Sequence, residues 1–396
     1  MVRLHEPTFG ADEINAALDC LLSTMVTMGM KNRSFEALFA NTHGFAETVM
    51  VNSGSSANLL ALAALANPAT EGALRPGDEV IVPALSWSTT VWPIIQMGLV
   101  PVVVDIHPAT LNIDPDAIEC AIGPRTRGLM IVPLYGNPCA MDAIVDLCQR
   151  HNLVLIEDCC EALGASYKGV PLGRFGRVAT FSFYFSHHIT TLEGGICGTS
   201  DGDLAETMRI LRAHGWIREV KEPERWTRLH PEIDERFLFV NLGYNLRPTE
   251  LQGAMGALQL PKLPGFVETR RANAAFLRSG LSRFGEMLRF QDETPGAVHS
   301  WFTFPVMLAR GAPFTIGEIR AALKDAGIET RPVICGNIAR QPGLHLYPHR
   351  TVGDLRHASE VMDHAFSFGC HHAIDDAARN HILGAFDGFM KRYGFK

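Results

Sequence analysis

Four short apolar runs, separated by segments with helical spacing, constrain the fold of this chain more than any other feature. The runs are EVIVPA, PVVVDI, GLMIVPL and LVLIED, at residues 79–84, 101–106, 128–134 and 153–158. Successive positions are apolar, so both faces of each strand would be buried, as in a parallel sheet covered by helices. Segments with helical spacing, at 114–122 and 141–151, lie between them. Residues 53–195 are therefore predicted to form βαβ units and an α/β sheet.

The second half of the chain follows a different pattern, which predicts a smaller α+β lobe. Residues 249–263 have helical spacing, and the Leu-Pro-Gly sequence at 263–265 is expected to interrupt the helix before it resumes at Phe266. Further predicted elements are a strand near 301–308 and helices near 315–326 and 354–365. We expect a large domain with an N-terminal helical segment, residues 1–262, and a small C-terminal domain, residues 263–396.

Composition excludes several classes of function. With 35 Lys and Arg against 42 Asp and Glu, the net charge is −7, which favours neither nucleic-acid nor membrane-surface binding. No apolar run approaches the roughly 18–20 residues that span a bilayer, and the first residues are charged where a secretory signal is apolar. Nine irregularly spaced cysteines suggest a reducing cytoplasm. Charges and turn formers are dense at 217–236, where a long surface loop is predicted.

The cysteines and histidines do not predict a metal site. The sequence has no H-E-x-x-H and no paired C-x-x-C motif, and adjacent Cys159 and Cys160 are poorly placed to share a zinc ion. Only Cys197, Cys335 and Cys370 follow residue 187, so no four-cysteine iron–sulfur cluster is expected. P-loop and dinucleotide-binding glycine motifs are also missing.

Polar residues next to apolar segments are candidate ligand contacts. The turn at 52–58, NSGSSAN, opens an apolar helix and offers free N–H groups, hydroxyls and the positive helix end to a phosphate, although a plain N-cap would explain it too. Asp158 ends a strand, and Glu161 follows closely; a carboxylate there could bind a heteroaromatic nitrogen or cap a loop. Trp87 could stack on an aromatic ring or lie in the core.

Residues 181–195, FSFYFSHHITTLEGG, combine a predicted strand, two histidines, a threonine pair and a tight turn. Adjacent residues of a strand point to opposite faces, so only one of His187 and His188 is expected to face a given pocket. The other is expected to be a structural histidine.

Six motifs occur in one order along most of the chain: S-G-S-S-A, P-x-x-x-W, Y-G-N-P, E-D-C-C-E, S-F-x-x-x-H-H-I-T-T-x-E-G-G and G-Y-N-x-R-P. In this order they resemble the DegT/StrS-type nucleotide-sugar aminotransferases, and matches near 28–36 and 330–332 extend the resemblance to nearly the full length. The resemblance implies an α/β, aspartate aminotransferase-like fold of type I, with a mostly parallel sheet and a smaller α+β domain. It also implies the cofactor pyridoxal 5′-phosphate (PLP).

Roles for the candidate residues follow from this resemblance. Ser55, Ser56 and Ser182 would hold the cofactor phosphate, and Asn245 matches an asparagine that reaches the phosphate from the partner subunit, which implies a homodimer with shared active sites. Around the pyridine ring, three further contacts are implied: stacking by Trp87, pairing of the ring nitrogen with Asp158, and approach of Glu161 to the phenolic oxygen.

One position departs from the family pattern. His187, six residues before Glu193 of the Glu-Gly-Gly turn, occupies the place of the lysine that bonds covalently to the cofactor. Imidazole forms no stable bond of this kind but suits proton transfer at neutral pH. The replacement resembles the sugar 3-dehydratases of the family, of the type without an iron–sulfur cluster. A sequencing error or an inactive enzyme is the alternative.

The resemblance implies a glutamate-dependent reaction on a nucleotide-linked 4-keto-6-deoxyhexose, expected to be GDP-linked 4-keto-6-deoxymannose. L-glutamate would supply the pyridoxamine form (PMP), and His187 would move a proton at the cofactor C4′ carbon as the C3 hydroxyl leaves. Candidate substrate contacts are His214, Arg218 and Arg331, although a surface helix end would explain the first two. A PLP-dependent 4-aminotransferase is the alternative enzyme, but its nearest lysine, Lys168, lies in another segment. A regulatory cofactor-binding module is a further alternative.

Overall fold

The computed structural model describes residues 1–395, which contain an eight-stranded, a four-stranded and a three-stranded sheet. The strands are β1 Glu47–Val51, β2 Glu79–Pro83, β3 Val100–Val104, β4 Thr126–Ile131, β5 Val154–Asp158, β6 Ser166–Tyr167, β7 Val170–Pro171, β8 Val178–Ser182, β9 Gly195–Thr199, β10 Leu288–Phe290, β11 Ala297–Val298, β12 Phe304–Leu308, β13 Thr330–Pro332, β14 Arg350–Thr351 and β15 Ala365–Phe368. The α-helices are α1 Ala11–Leu22, α2 Met30–His43, α3 Gly54–Leu65, α4 Ser88–Gln96, α5 Pro115–Ala121, α6 Met141–His151, α7 Gly202–Arg212, α8 Pro223–Leu229, α9 Glu250–Gln259, α10 Leu263–Leu281, α11 Ile316–Asp325, α12 Arg356–His364 and α13 Asp376–Lys391.

The eight-stranded sheet has the order β1-β9-β8-β5-β4-β2-β3-β14. The four strands predicted from their apolar runs are β2, β3, β4 and β5, and they lie together as parallel neighbours inside the sheet. Only β9 runs against the others, because it pairs antiparallel with both β1 and β8. The predicted mostly parallel α/β sheet is confirmed.

Helices bury both faces of this sheet. In β2, Val80 and Val82 belong to the hydrophobic cluster that contains α3, α4 and α7, whereas Ile81 belongs to the cluster that contains α2, α5 and α6. Alternate side chains of a strand point to opposite faces, and here both faces are covered. Helix α3 is itself buried along most of its length.

The C-terminal part of the chain builds a second, antiparallel sheet with the order β10-β12-β15-β13. Helices α10, α11 and α13 pack on it in a separate hydrophobic cluster. The expected helix break at 263–265 is wrong: α10 begins at Leu263 and continues through Pro264, which lies in its first turn. Proline is tolerated there because its missing N–H would have no partner within the helix. The interruption falls instead in a 3₁₀ turn at Leu260–Lys262.

Two segments cross the expected boundary between residues 262 and 263. Val2 donates a backbone hydrogen bond to Gly327 and packs in the C-terminal cluster, whereas β14 joins the edge of the large sheet beside β3. Residues 217–236, expected to be a loop, contain the two-turn helix α8 between irregular segments. Among residues 1–395, no helix is both long and apolar enough to cross a membrane.

Candidate active site

The carboxyl ends of several strands bring the candidate residues to one edge of the large sheet. Strand β1 leads through Ser53 into α3, β5 ends at Asp158, β8 ends at Ser182, and β2 leads to Trp87. Because these four strands run in the same direction, their ends meet at one edge, where open α/β sheets bind ligands. A cavity of about 320 Å³ opens there, which is large enough for a small molecule.

Most side chains selected from the sequence line this cavity, although they come from distant segments. The lining includes Ser55, Trp87, Asp158, Glu161, Ser182, His187 and Arg331. Trp87 is 54% exposed, so it lies at the cavity wall rather than in the core.

The start of α3 forms a polar cradle at one end of the cavity. Ser53 caps the helix by accepting a hydrogen bond from the backbone N–H of Ser56, while the Ser55 hydroxyl lies 2.9 Å from that of Thr89. The expected N-cap is therefore present, and a second hydroxyl remains at the helix end. Free N–H groups, hydroxyls and the positive end of the helix are the chemistry that binds a phosphate.

Two glycines let the surrounding strands press against this cradle. A β-carbon on Gly54 would lie 2.5 Å from the β-carbon of Ser182, and one on Gly195 would lie 2.4 Å from the carbonyl oxygen of Ser53. Since real side chains do not approach this closely, both positions need glycine. The cradle therefore depends on close contact between the start of α3, the end of β8 and the start of β9.

Asp158, at the end of β5, is nearly buried and fully hydrogen-bonded on one oxygen. Its Oδ2 accepts hydrogen bonds from Asn58 Nδ2 at 2.8 Å and from Thr90 Oγ1 at 2.7 Å. Its Oδ1 accepts only the backbone N–H of Cys160, at 3.2 Å. The carboxylate therefore caps the following loop and also presents an oxygen to the cavity.

His187 and His188 lie in a turn that follows β8, so the prediction that they belong to a strand is wrong. His187 lines the cavity and donates from Nδ1 to the backbone carbonyl of Cys160 at 2.6 Å, which leaves Nε2 unprotonated in the neutral ring. Burial lowers the pKa of His187 to about 4. His188 is fully buried and donates from Nε2 to the carbonyl of Ser300 at 3.1 Å. The structure thus separates a cavity histidine from a structural one.

Glu161 and Arg331 face the cavity without pairing to each other by hydrogen bonds. Glu161 accepts the backbone N–H of Tyr135 at 3.3 Å, and burial raises the pKa of its carboxyl group to about 7. The guanidinium of Arg331 lies 6.0 Å from the centre of the Phe302 ring, and its buried Nε has no hydrogen-bond partner within residues 1–395. Glu161 and Arg331 therefore give this side of the cavity a carboxyl group and a guanidinium group that line it.

Four predicted residues do not line the cavity of this chain. The Ser56 hydroxyl donates to Asn52 at 2.6 Å, and Asn245 is exposed, where it accepts a hydrogen bond from Arg247 at 3.1 Å. His214 is half-buried, and Arg218 is exposed and stacks over Trp216, at a separate cleft. Ser56 therefore fits the alternative of a plain N-cap, and His214 and Arg218 fit the alternative of a surface helix end.

Sequence reasoning missed the residues that hold Asp158. Asn58 and Thr90 are almost completely buried and bond directly to its carboxylate. A signal was present for Asn58: a buried amide in an otherwise apolar helix needs hydrogen-bond partners. Thr90 has no comparable signal, because its position next to the carboxylate results from the sheet order.

The sheet order, the antiparallel β9 and the ligand cavity at the strand ends define a class of protein. The chain has the aspartate aminotransferase-like fold of type I that PLP-dependent transferases share. The DegT/DnrJ/EryC1/StrS aminotransferase family matches residues 7–387, and the chain belongs to that family. This confirms the resemblance read from the motifs.

Named relatives are similar over almost the whole chain. GDP-4-keto-6-deoxy-D-mannose 3-dehydratase from Yersinia pseudotuberculosis is 40% identical over 375 residues, 94% of each chain. The solved Escherichia coli enzyme of the same name, with bound hydrated PLP, superposes with a TM-score of 0.90 at 35% identity and covers 97% of this chain and 99% of that one. Two further solved structures of a GDP-4-keto-6-deoxymannose 3-dehydratase, a histidine-to-asparagine mutant with bound GDP-perosamine and one with a trapped PLP-glutamate geminal diamine, have TM-scores of 0.89 and 0.88. Both are 35% identical and cover 97% of this chain and 100% of their own.

Proposed function

We propose that this chain is a PLP- and PMP-dependent, glutamate-dependent 3-dehydratase of a nucleotide-linked 4-keto-6-deoxyhexose, with GDP-4-keto-6-deoxy-D-mannose as its substrate. One observation carries the proposal: His187 faces the cavity beside the cradle, and none of the lining side chains described within residues 1–395 is a lysine. The similarity to enzymes named for this reaction, at up to 40% identity over 94% of the chain, supports it.

The cavity suits the cofactor that the solved relatives carry. Ser55 and Ser182 flank the helix end that would hold the phosphate, and the free lone pairs of Asp158 Oδ1 would meet the ring nitrogen. Trp87 would stack on the ring, and Glu161 would approach the phenolic oxygen. When bound, PLP supplies an electron sink that the side chains of a protein lack.

His187 is the proposed catalytic base and acid. Its Nδ1 donates its proton to the Cys160 carbonyl, so Nε2 is the atom that would take a proton from the C4′ carbon of a bound cofactor. With a pKa near 4, the ring is neutral at physiological pH and ready to accept that proton. For the same reason the protonated ring readily releases it, which suits protonation of the departing C3 hydroxyl.

Arg331 is the proposed contact for an anionic group of a substrate. It lines the cavity, and no carboxylate within the described residues forms an ion pair with it. A carboxylate of L-glutamate or a phosphate of the nucleotide sugar would supply the missing partner. His214 and Arg218 lie outside this cavity, so a substrate role for them requires a second subunit.

A homodimer with shared active sites accounts for several exposed residues. Helix α1 and the segment after it expose Ile14, Leu18, Leu21, Leu22 and Met25. The segment before α9 exposes Phe239, Leu242 and Asn245. Apolar surface of this kind marks an interaction site, and Asn245 would reach the partner's cofactor phosphate from it. Light scattering of the purified protein tests this dimer. All nine cysteines are free thiols, which fits the proposed cytoplasmic location.

The proposal is tested by mass spectrometry of the sugar product after incubation with PLP, L-glutamate and GDP-4-keto-6-deoxymannose. A product one oxygen lighter is expected. Replacement of the ketone by an amine would show a 4-aminotransferase instead. The structure does not favour that alternative, because Lys168 is exposed, bonds to Asp142 at 2.5 Å and does not line the cavity.

A further inference from the structure

A chain of buried hydrogen bonds lies behind Asp158. Asn58 Nδ2 donates to Asp158 Oδ2 at 2.8 Å, and Thr180 Oγ1 donates to Asn58 Oδ1 at 2.5 Å. Asn58 is 2% exposed, and Thr180 and Thr90 are fully buried. Thr180 does not line the cavity, so a small ligand there would not touch it. The chain therefore connects a residue in the middle of β8 to the carboxylate at the end of β5.

An asparagine is an unfavourable residue at the buried position 58 when only the stability of the fold is considered. Helix α3 is otherwise apolar at its buried positions, such as Leu60, Ala61 and Leu62. A leucine at position 58 would continue that pattern without burying a polar group, and burial of an amide is unfavourable unless its hydrogen bonds are made. Here both ends of the amide are bonded: the NH₂ group donates to Asp158 and to the Thr89 carbonyl, and the oxygen accepts from Thr180. The Asn58 amide therefore stabilises the orientation of the Asp158 carboxylate and is not needed for the packing of helix α3.

The direction of each hydrogen bond follows from the groups involved. A carboxylate accepts only, so the NH₂ end of Asn58 must face Asp158. The opposite rotamer would place the amide oxygen against the carboxylate, and in the observed rotamer the oxygen at the far end accepts the hydrogen bond of the Thr180 hydroxyl. Asn58 therefore fixes the rotation of the Asp158 carboxylate.

We propose that Asn58 and Thr180 are positioning residues that fix the rotation of Asp158 so that Oδ1 meets the ring nitrogen of the cofactor. With Oδ2 occupied by Asn58 and Thr90, Oδ1 is the oxygen left for the ligand. An Asp158 oxygen held at that nitrogen would keep the nitrogen protonated, which the electron-sink chemistry requires. The inference rests on the proposed function for the identity of the cofactor.

Three variants of the full-length protein test the chain: Asn58→Leu, Thr180→Val and Thr180→Ser. Asn58→Leu removes all three hydrogen bonds of the Asn58 amide, and Thr180→Val removes only the bond from the Thr180 hydroxyl. Neither substitution adds a heavy atom, and Thr180→Ser keeps the hydroxyl. Thr199→Val is a matched control, because Thr199 is a buried strand threonine whose hydroxyl bonds to the Arg177 carbonyl, away from Asp158. Circular dichroism checks folding, and the readouts are the PLP dissociation constant and the absorption spectrum of bound PLP as a function of pH.

Asn58→Leu is expected to weaken PLP binding by about tenfold or more, since a hydrogen bond to a charged group is lost. The spectrum of the bound cofactor should show a change between about pH 6 and 9 that the wild type lacks, as the ring nitrogen loses its proton in that range. Thr180→Val should shift both readouts in the same direction but less, and Thr180→Ser should restore them. The Thr199→Val control should match the wild type.

Wild-type affinity and the wild-type spectrum at every pH in a folded Thr180→Val or Asn58→Leu protein would overturn the inference. The outcome for the proposed function is separate, because neither readout uses the sugar substrate. If the wild type binds PLP but yields no deoxygenated sugar, the proposed function is wrong, and this inference is still decided by the affinities and spectra of the variants. A wild type that does not bind PLP would overturn both.

Discussion

The two sides of the cavity differ in how completely their polar atoms are satisfied. On the side of Asp158, the carboxylate accepts bonds from Asn58, Thr90 and the Cys160 backbone. On the side of His187 and Arg331, the buried Nε of Arg331 has no partner within the described chain. On the first side, Oδ2 of Asp158 is already bonded and only Oδ1 is left for a ligand, which suits a wall that would hold a resident cofactor. On the second side, the Arg331 guanidinium lines the cavity, which suits a wall that would meet anionic substrates.

Electrostatics shows the same contrast. Burial lowers the pKa of His187 to about 4 and raises that of Glu161 to about 7. His5 approaches the same side: its ring lies 5.5 Å from that of Phe302, and burial together with the charge of Arg331 lowers its pKa to about 3. Perturbed titrating groups in a cleft indicate a site of proton chemistry. On the proposed function, the side with His187 would handle protons and the side with Asp158 would hold the cofactor.

The sharpest test of this division, and the one with the largest expected effect, is His187→Asn. Loss of the base should lower kcat for deoxygenation by at least about a hundredfold, while the PLP dissociation constant changes little. Steady-state kinetics and a PLP titration measure the two quantities. His345→Asn, a change at an exposed histidine outside the cavity, is the control and should match the wild type. Deoxygenation at the wild-type rate by His187→Asn would remove His187 from the mechanism.

The opposite side is tested by Asp158→Asn, which should change cofactor affinity first. The substitution removes the charge that would pair with the ring nitrogen, so PLP binding should weaken by about tenfold to a hundredfold, and kcat should fall as well. Equilibrium dialysis against PLP measures the affinity. If Asp158→Asn lowered kcat alone and His187→Asn lowered PLP affinity, the division between the two sides would be reversed.

A smaller effect is expected from the titration of Glu161. Its protonated carboxyl can donate to the phenolic oxygen, whereas the ionised form cannot, so PLP affinity should fall several-fold as the pH rises through about 7. In Glu161→Gln, whose amide donates at every pH, this step should be absent. PLP titrations from acidic to mildly basic pH measure it, and a step that persists in Glu161→Gln would assign the titration to another group.

The smallest expected effect concerns stability rather than catalysis. Since the folded pKa of His5 is about 3 and the ordinary value is 6.5, the unfolded chain binds the extra proton. The contribution of the neutral His5 to the free energy of unfolding is therefore fully present above pH 6.5 and is lost as the pH falls toward 3. Near pH 5.5 the loss should be about 1 kcal/mol. His5→Gln should lose less thermal stability than the wild type between neutral pH and pH 5.5. Equal losses in both proteins would place the acid sensitivity elsewhere.

The strands of the large sheet were predictable from the sequence where both of their faces are buried among apolar side chains. Strands β2 to β5 are apolar on both faces, and the pattern shows it directly. The turn containing His187 was not predictable, because its sequence resembles the strand that precedes it. The predicted helix break at 263–265 was wrong because the effect of Pro264 depends on where the helix begins. A proline interrupts a helix in its interior but is tolerated in its first turn, and tertiary contacts set where that turn lies.

Within the site, residues at strand ends were predictable and their supports were not. Asp158 and Ser182 stand at the ends of apolar runs, where ligands bind to such sheets. Thr180 lies inside a strand and looks like any buried threonine until the sheet order places β8 beside β5. Asn245 and Arg218 lie on the surface of the single chain, so their proposed roles depend on contacts with a second copy.

The close contact between Gly195 and Ser53 also has a consequence for the order of folding. The cradle joins the start of α3 to strands more than a hundred positions further along the chain, so it exists only once the large sheet has closed. Parallel sheets with such distant pairings form slowly. PLP would therefore bind only the folded molecule, and its binding would stabilise the folded state by mass action. After dilution from denaturant, PLP binding should therefore be slower than the recovery of the helical circular dichroism signal.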